Sequence, residues 1–501
     1  MNGLFIGIDS GTQGTKGLVL DAESGGILAE AHAPHSLIED GTGKREQEPG
    51  WWIAACRAVL GQLVSDPRVD PSLVRGIGVS GQQHGFVPLD AAGEVIRPAK
   101  LWCDTATTAQ CSAVTEAMGG QEAVVDAIGN SVAVGFTASK VVWLKDNEPE
   151  NYDRLSTVLL PHDYINYWLT GERRTECGDA SGTAYFDVAQ RRWSMEMLTA
   201  MDPSGKLVDC LPELIESDQP AGVVRPEVAA EFGFGTDVLV SSGGGDNMIA
   251  AIGTGNVVPG VVTASLGTSG TIYAHADKPV IDPQGELAAF CSSTGGWLPL
   301  VCTMNVTVAT ELTRNLLAMD TAKLNTLAAQ ADAGAGGVML LPYFNGERTP
   351  ALPKATASLH GLNTSNYTPA NLCRAAMEGA TFGLRYGMGV LQRLGVKPAE
   401  IRLVGGGAKS TLWRQMVADV FDCPVVCPVV EEAGALGAAI QAVWCVKRDG
   451  GDKVALVDLA TRYVVMDAPG GATPSAGAVE KYTGLYGKYL ALDSVLRTVN
   501  E

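Results

Sequence analysis

The chain has 501 residues, 46 % hydrophobic and 18 % charged, which is too long for one core and too apolar for a disordered chain. Its formal charge is −19 with no basic run longer than a pair, which argues against nucleic-acid binding by phosphate neutralisation. No apolar run reaches the ~20 residues that a membrane span requires.

Alternating strand-like and helix-like segments predict α/β layers. Residues 4–8 read as a buried strand with no leader-like segment ahead of it. A glycine-rich turn and a second strand over 16–20 make the opening a hairpin. Its run Asp9-Ser10-Gly11-Thr12-Gln13-Gly14-Thr15-Lys16 offers consecutive N–H groups and hydroxyls to phosphate oxygens. Asp9 offers a carboxylate that can hold Mg²⁺ directly or through water. A plain hairpin turn explains the same glycines equally well. Neither a P-loop nor a dinucleotide Gly-x-Gly-x-x-Gly fingerprint occurs.

Residues 52–63 read as a helix and 76–80 as a buried strand. That strand runs into Gly81-Gln82-Gln83-His84-Gly85, where Gln83 and His84 carry neutral groups suited to hydroxyls. Nearby, Trp102 and Asp104 read either as an aromatic wall with a carboxylate or as core plus cap. Strands follow at 158–160 and 238–240, the second entering Ser241-Ser242-Gly243-Gly244-Gly245-Asp246-Asn247. Three glycines permit a sharp turn into a helix, at whose N-terminus the dipole favours an ionised Asp246. Such a carboxylate suits a proton acceptor, and a simple N-cap is the alternative. Gly267-Thr268-Ser269-Gly270-Thr271 then repeats Gly11-Thr12-Gln13-Gly14-Thr15 about half a chain later. This predicts a duplicated domain, each copy presenting one hairpin to a shared cleft.

A helix is expected over 369–394. The strand at 401–404 ends in Gly405-Gly406-Gly407-Ala408-Lys409-Ser410, before a helix over 412–421. Backbone exposed there suits an adenine face or a phosphate. The small residues of 431–439 predict close helix packing. The eleven cysteines are scattered, and the tightest pair, Cys423 and Cys427, lacks the second pair of a zinc site. They read as buried thiols in a reducing cytoplasm.

In this order the motifs resemble the FGGY family of carbohydrate kinases, within the actin, hexokinase and heat-shock-chaperone superfamily. The resemblance runs from about Phe5 to Ala439 and includes two long stretches similar to the family's signatures, 135–147 and 357–378. It implies two duplicated α/β domains of ribonuclease H-like type around a central cleft. Residues 1–247 would hold the sugar side and 248–501 the nucleotide side. ATP and Mg²⁺ are implied, with Asp246 as proton acceptor and Asp9 near the metal, through water. Gln83, His84 and Asn247 would contact the sugar, with Trp102 and Asp104 beside them. Gly11, Thr12, Gln13, Thr15 and Lys16 would face the phosphates, Gly267 and Thr268 would form the second phosphate turn, and Gly406, Gly407 and Ser410 would lie on the adenosine side.

Residues 82–85, 101–104, 161–164, 265–270 and 342–350 are most similar to members acting on the ketose D-xylulose. Many of those have methionine in place of Gln83 and asparagine in place of Cys103, which leaves L-ribulose, gluconate or glycerol as alternative substrates. Members acting on glycerol have Arg-Glu at positions 83–84, unlike this chain. A sugar-independent ATPase of the same superfamily is the competing class. The implied partners are the sugar and ATP, and a homodimer is one assembly the resemblance allows.

Overall fold

β1 (Leu4–Ser10), β2 (Gly14–Asp21) and β3 (Ile27–Pro34) form an antiparallel meander in a computed structural model that describes residues 3–500. Met1, Asn2 and Glu501, termini of the two expected domains, lie outside the described residues. α1 (Pro49–Val64) opens on a proline, whose missing N–H is unneeded in a first turn. It buries Trp52, Cys56, Val59, Leu60 and Leu63 in the core beside this sheet. β4 (Val74–Gly81) then pairs parallel to β1. After α2 (Thr137–Asn147) and α3 (Pro161–Thr170), β5 (Pro220–Val223) and β6 (Leu239–Ser241) complete the sheet, β6 lying parallel to β4.

α4 (Asp246–Gly253) leads into the second half. There β7 (Val261–Ser265), β8 (Gly270–Ala274) and β9 (Leu300–Thr303) form another antiparallel meander. After α5 (Pro369–Arg393), β10 (Glu400–Val404) pairs parallel to β7; after α6 (Thr411–Phe421), β11 (Val425–Val426) pairs parallel to β10. The order β3-β2-β1-β4-β6 is thus matched by β9-β8-β7-β10-β11 with the same strand directions. The fold is duplicated, and the two Gly-Thr repeats occupy the corresponding β1–β2 and β7–β8 turns.

α7 (Ala433–Asp449) follows the second sheet in sequence but packs on the first. A Cβ on Gly7 would strike the Ala435 carbonyl, one on Gly78 that of Ala438, and one on Gly437 that of Ile249 in α4. Small residues here allow backbone to touch backbone. Phe5, Leu18, Ile249, Ile252, Leu436 and Ile440 close one joint core around α4 and α7. The expected division after residue 247 therefore falls inside α4. Among the described residues no helix is long and apolar enough to cross a membrane, and all eleven cysteines are free.

Candidate active site

The end of β1, the loop after β4 and the start of α4 converge on the cleft. Gln83, His84, Trp102, Asp246 and Asn247 line a cavity of about 610 Å³, faced by Ser265, Ser269 and Thr271 of the second half. Gly245 is the N-cap of α4, so Asp246 is its first helical residue and not the cap. Asn247 donates its backbone N–H and its side-chain amide to Oδ1 of Asp246. Burial, reinforced by the charges of Asp9 and Asp179, pushes the Asp246 carboxyl up to about 7. A carboxyl so tuned can take and release a proton near neutral pH.

Gln83 accepts from Asn247 Nδ2 at 2.8 Å, while its own buried Nε2 has no partner among the described residues. A buried donor left open in a cavity is what a ligand oxygen would satisfy. His84 has φ 63°, a left-handed backbone that costs a non-glycine residue about 1–2 kcal/mol. Its ring lies 4.4 Å from Phe136 and 5.6 Å from Phe290. Burial, then the nearby Lys140 and Arg348, holds this imidazole well below its usual range, so it is neutral. Trp102 Nε1 donates to Thr12 Oγ1 at 2.9 Å, tying the cavity wall to the first turn.

Asp104 corrects an expectation. It is fully buried and accepts from Lys100 Nζ and from the backbone N–H of Arg45 and Ala106. Its carboxylate is spent inside the protein and does not line the cavity, so the core reading is the right one for this residue.

On the phosphate side, Asp9 Oδ1 accepts from Ser80 Oγ at 2.6 Å, and burial raises its carboxyl. Gly11 and Thr12 are half-buried in the β1–β2 turn, and Gln13 is exposed at the hairpin tip. Thr15 is a second correction. Successive strand residues face opposite ways, and Thr15 turns inward, bonded to Ser10 and His35, while Lys16 turns out. Lys16 pairs with Glu432 of the second half at 2.7 Å. Gly267, Thr268, Gly406, Gly407 and Ser410 line a second cavity of about 480 Å³. Ser410 is also the N-cap of α6, accepting from the Trp413 N–H, and donates to Asn325.

No cluster of three or more His, Cys, Asp or Glu able to hold a metal occurs among the described residues. Mg²⁺ usually takes only one or two carboxylates, with water and phosphate completing its shell. A Cβ on Gly434 would stand 2.5 Å from Asp9 Oδ2, so glycine keeps the space beside that carboxylate open. These residues fit an ion that arrives with phosphate.

Sequence reasoning missed Asp179 and did not give His162 a role. His162 Nδ1 lies 2.8 Å from Asp179 Oδ2, and Nε2 lies 2.9 Å from Asp163 Oδ1. Burial opposes its charge, yet the two carboxylates hold the imidazole well above its usual range. Among the described residues Asp179 Oδ1 has no hydrogen-bond partner, and it stands 3.0 Å from where a Cβ on Gly245, the residue before Asp246, would sit. Asp179 lies in a run of small residues with no spacing that links it to Asp246. Arg348, which also lines the cavity, sat inside the 342–350 stretch without an assigned part.

Comparison with known proteins gives a consistent picture. The family model "FGGY family of carbohydrate kinases, N-terminal domain" matches residues 4–253, and its C-terminal counterpart matches 262–446. A xylulose kinase of Haemophilus influenzae is 48 % identical, over 97 % of this chain and 99 % of its own length. A solved structure from Brucella ovis, described as a xyloylose kinase, superposes with TM-score 0.91 at 31 % identity, covering 99 % of this chain and all of its own. The xylulose kinase structure from Bifidobacterium adolescentis gives TM-score 0.83 at 31 % identity, covering 97 % and 99 %.

Proposed function

This chain belongs to the FGGY family of carbohydrate kinases, and we propose that its cleft transfers the γ-phosphoryl group of ATP to a hydroxyl of D-xylulose, with Asp246 as general base. The product is D-xylulose 5-phosphate. The observation that carries the assignment of the base is the Asp246 carboxyl, pushed up to about 7 on the cavity wall between the sugar-side residues and the second half.

The sugar lies against Gln83, His84, Trp102 and Asn247. The open Nε2 of Gln83 and the neutral imidazole of His84 meet its oxygens without adding charge. Gly267 and Thr268 hold phosphate from the second half, with Gly11 and Thr12 opposite, and adenosine rests near Gly406, Gly407 and Ser410. As the sugar oxygen bonds to phosphorus and the bond to the ADP oxygen breaks, the hydroxyl proton passes to Asp246. The transition state is loose, so the residues act mostly by positioning and by excluding water. Mg²⁺, when bound, supplies positive charge at the phosphate oxygens, and Asp9 is the residue that would hold it. The eleven free cysteines support a reducing, cytoplasmic setting.

The test is ADP release with and without D-xylulose. The reading expects sugar-dependent turnover, and ATP hydrolysis indifferent to any sugar would overturn it.

A further inference from the structure

We propose that Lys140 is a positioning residue for the sugar site, its buried amino group fixing His84 through the His84 carbonyl. The inference rests on the reading of this cavity as the sugar site. Lys140 is fully buried in α2, and its Nζ donates to the carbonyl oxygens of His84 and Gly135, both at 2.5 Å. Thr137 Oγ1, one turn earlier, donates to the same His84 carbonyl at 3.2 Å. Lys140 makes no ion pair among the described residues; burial pulls its amino group down to about 7, with Asp104 opposing from further away, and the amine has N–H bonds for both carbonyls whether or not it carries the extra proton.

Burying a lysine amine is costly unless it is hydrogen-bonded, and here two carbonyls meet it. Both carbonyls belong to residues in left-handed backbone, His84 at φ 63° and Gly135 at φ 98°. Glycine adopts this backbone freely, but a non-glycine residue such as His84 persists in it only where its surroundings over-determine it. Gly135 leads directly into Phe136, whose ring packs on the His84 ring. One buried amine therefore ties down both sides of the tilted His84–Phe136 ring pair that walls the cavity. Asp104, expected at the sugar, sits behind this arrangement and bonds to Lys100 instead.

Lys140→Met keeps the length of the side chain and removes the donor. The expected result is a rise of about tenfold or more in KM for D-xylulose, the scale of the two hydrogen bonds lost, with KM for ATP changed less than about twofold. In a His84→Gly background the ring is gone and the backbone is unstrained. There the same substitution should move the sugar KM by less than about twofold. Thr137→Val removes only the second donor and should shift the sugar KM about threefold in the same direction, which keeps the test decisive if Lys140→Met does not fold. An unchanged sugar KM, an equal loss of ATP affinity, or a full effect of Lys140→Met without the His84 ring overturns the inference. If the unsubstituted chain phosphorylates no ketose, the sugar-site reading falls first and this inference with it.

Discussion

Asn247 donates both its backbone N–H, at 2.7 Å, and its side-chain amide, at 2.9 Å, to one oxygen of Asp246. Two donors on Oδ1 fix the carboxyl plane at the start of α4, and no described residue donates to Oδ2. Asp246→Asn retains an acceptor for both bonds and removes the base. The expected loss is ~10²–10⁴ in kcat, with sugar and ATP affinity largely kept. Steady-state kinetics with binding calorimetry checks this, and near-normal kcat in the variant would remove Asp246 from its role.

Asp246 acts as a base only when ionised, so kcat/KM for the sugar should fall on the acid side of about pH 7. Asp179 is one of the charges that raise this carboxyl; burial raises Asp179's own carboxyl, and the cationic His162 bonded to it opposes that rise. Asp179→Asn should therefore move the acid limb to lower pH, a change that simple loss of packing would not produce. A pH–rate profile from pH 5 to 9 for both proteins decides it. An unmoved limb would show that Asp179 does not tune the base.

The same carboxyl carries a stability cost. Its folded pKa of about 7 lies above the ordinary value of 3.8, so between those pH values the folded state binds more protons than the unfolded one. Stability then falls as pH rises through that window. Asp246→Asn removes the titration, so at pH 8 the variant should melt at least about 2 °C above the parent, with the gap closing towards pH 4. Melting curves at pH 4, 6 and 8 test this, and a variant that is less stable at pH 8 would refute it.

How much of this was legible in the sequence depended on distance along the chain. The β1–β2 hairpin and the turn into α4 are local patterns of apolar run, glycines and carboxylate, and both could be read directly. The site needed more than local pattern. Lys16 meets Glu432 across 416 residues, a separation that no spacing rule spans. Asp104 was misread because a carboxylate after a strand looks the same whether it faces a cavity or a lysine four residues earlier. Thr15 and Lys16 were both expected at phosphate, although strand alternation lets only one of two neighbours face it. The small residues of 431–439 did announce close packing, but not that α7 would return to the first sheet.

That return gives a further prediction. A methyl group on Gly437 would strike the Ile249 carbonyl in α4 and stand 2.8 Å from the Gly253 nitrogen. These are backbone atoms, which yield less readily than a side chain. Gly437→Ala should cost about 1–3 kcal/mol by overpacking and should lower kcat by displacing the helix that begins at Asp246. Denaturant melts and kinetics read both effects. An alanine variant with unchanged stability and turnover would show that the α4–α7 contact is looser than described.

Substrate choice is the strictest test of the cavity. The loop after β4 carries only neutral polar groups, and from sequence that predicts rejection of gluconate, whose carboxylate would be desolvated without a partner. The fold brings one cation to the same cavity, since Arg348 lines it and helps hold His84 neutral. Gluconate therefore would meet one possible counter-charge, but among apolar walls that include Phe136 and Phe290. D-xylulose should show the highest kcat/KM among D-xylulose, L-ribulose, D-ribulose, glycerol and gluconate, with the last two at least about 100-fold lower. Any residual gluconate use should disappear in Arg348→Gln. Gln83→Met, which installs the residue that many xylulose-acting relatives have there, should cost D-xylulose less than about tenfold. Measuring kcat/KM for the five substrates on the three proteins settles it, and a clear preference of the unsubstituted chain for gluconate or glycerol would overturn this account of the pocket.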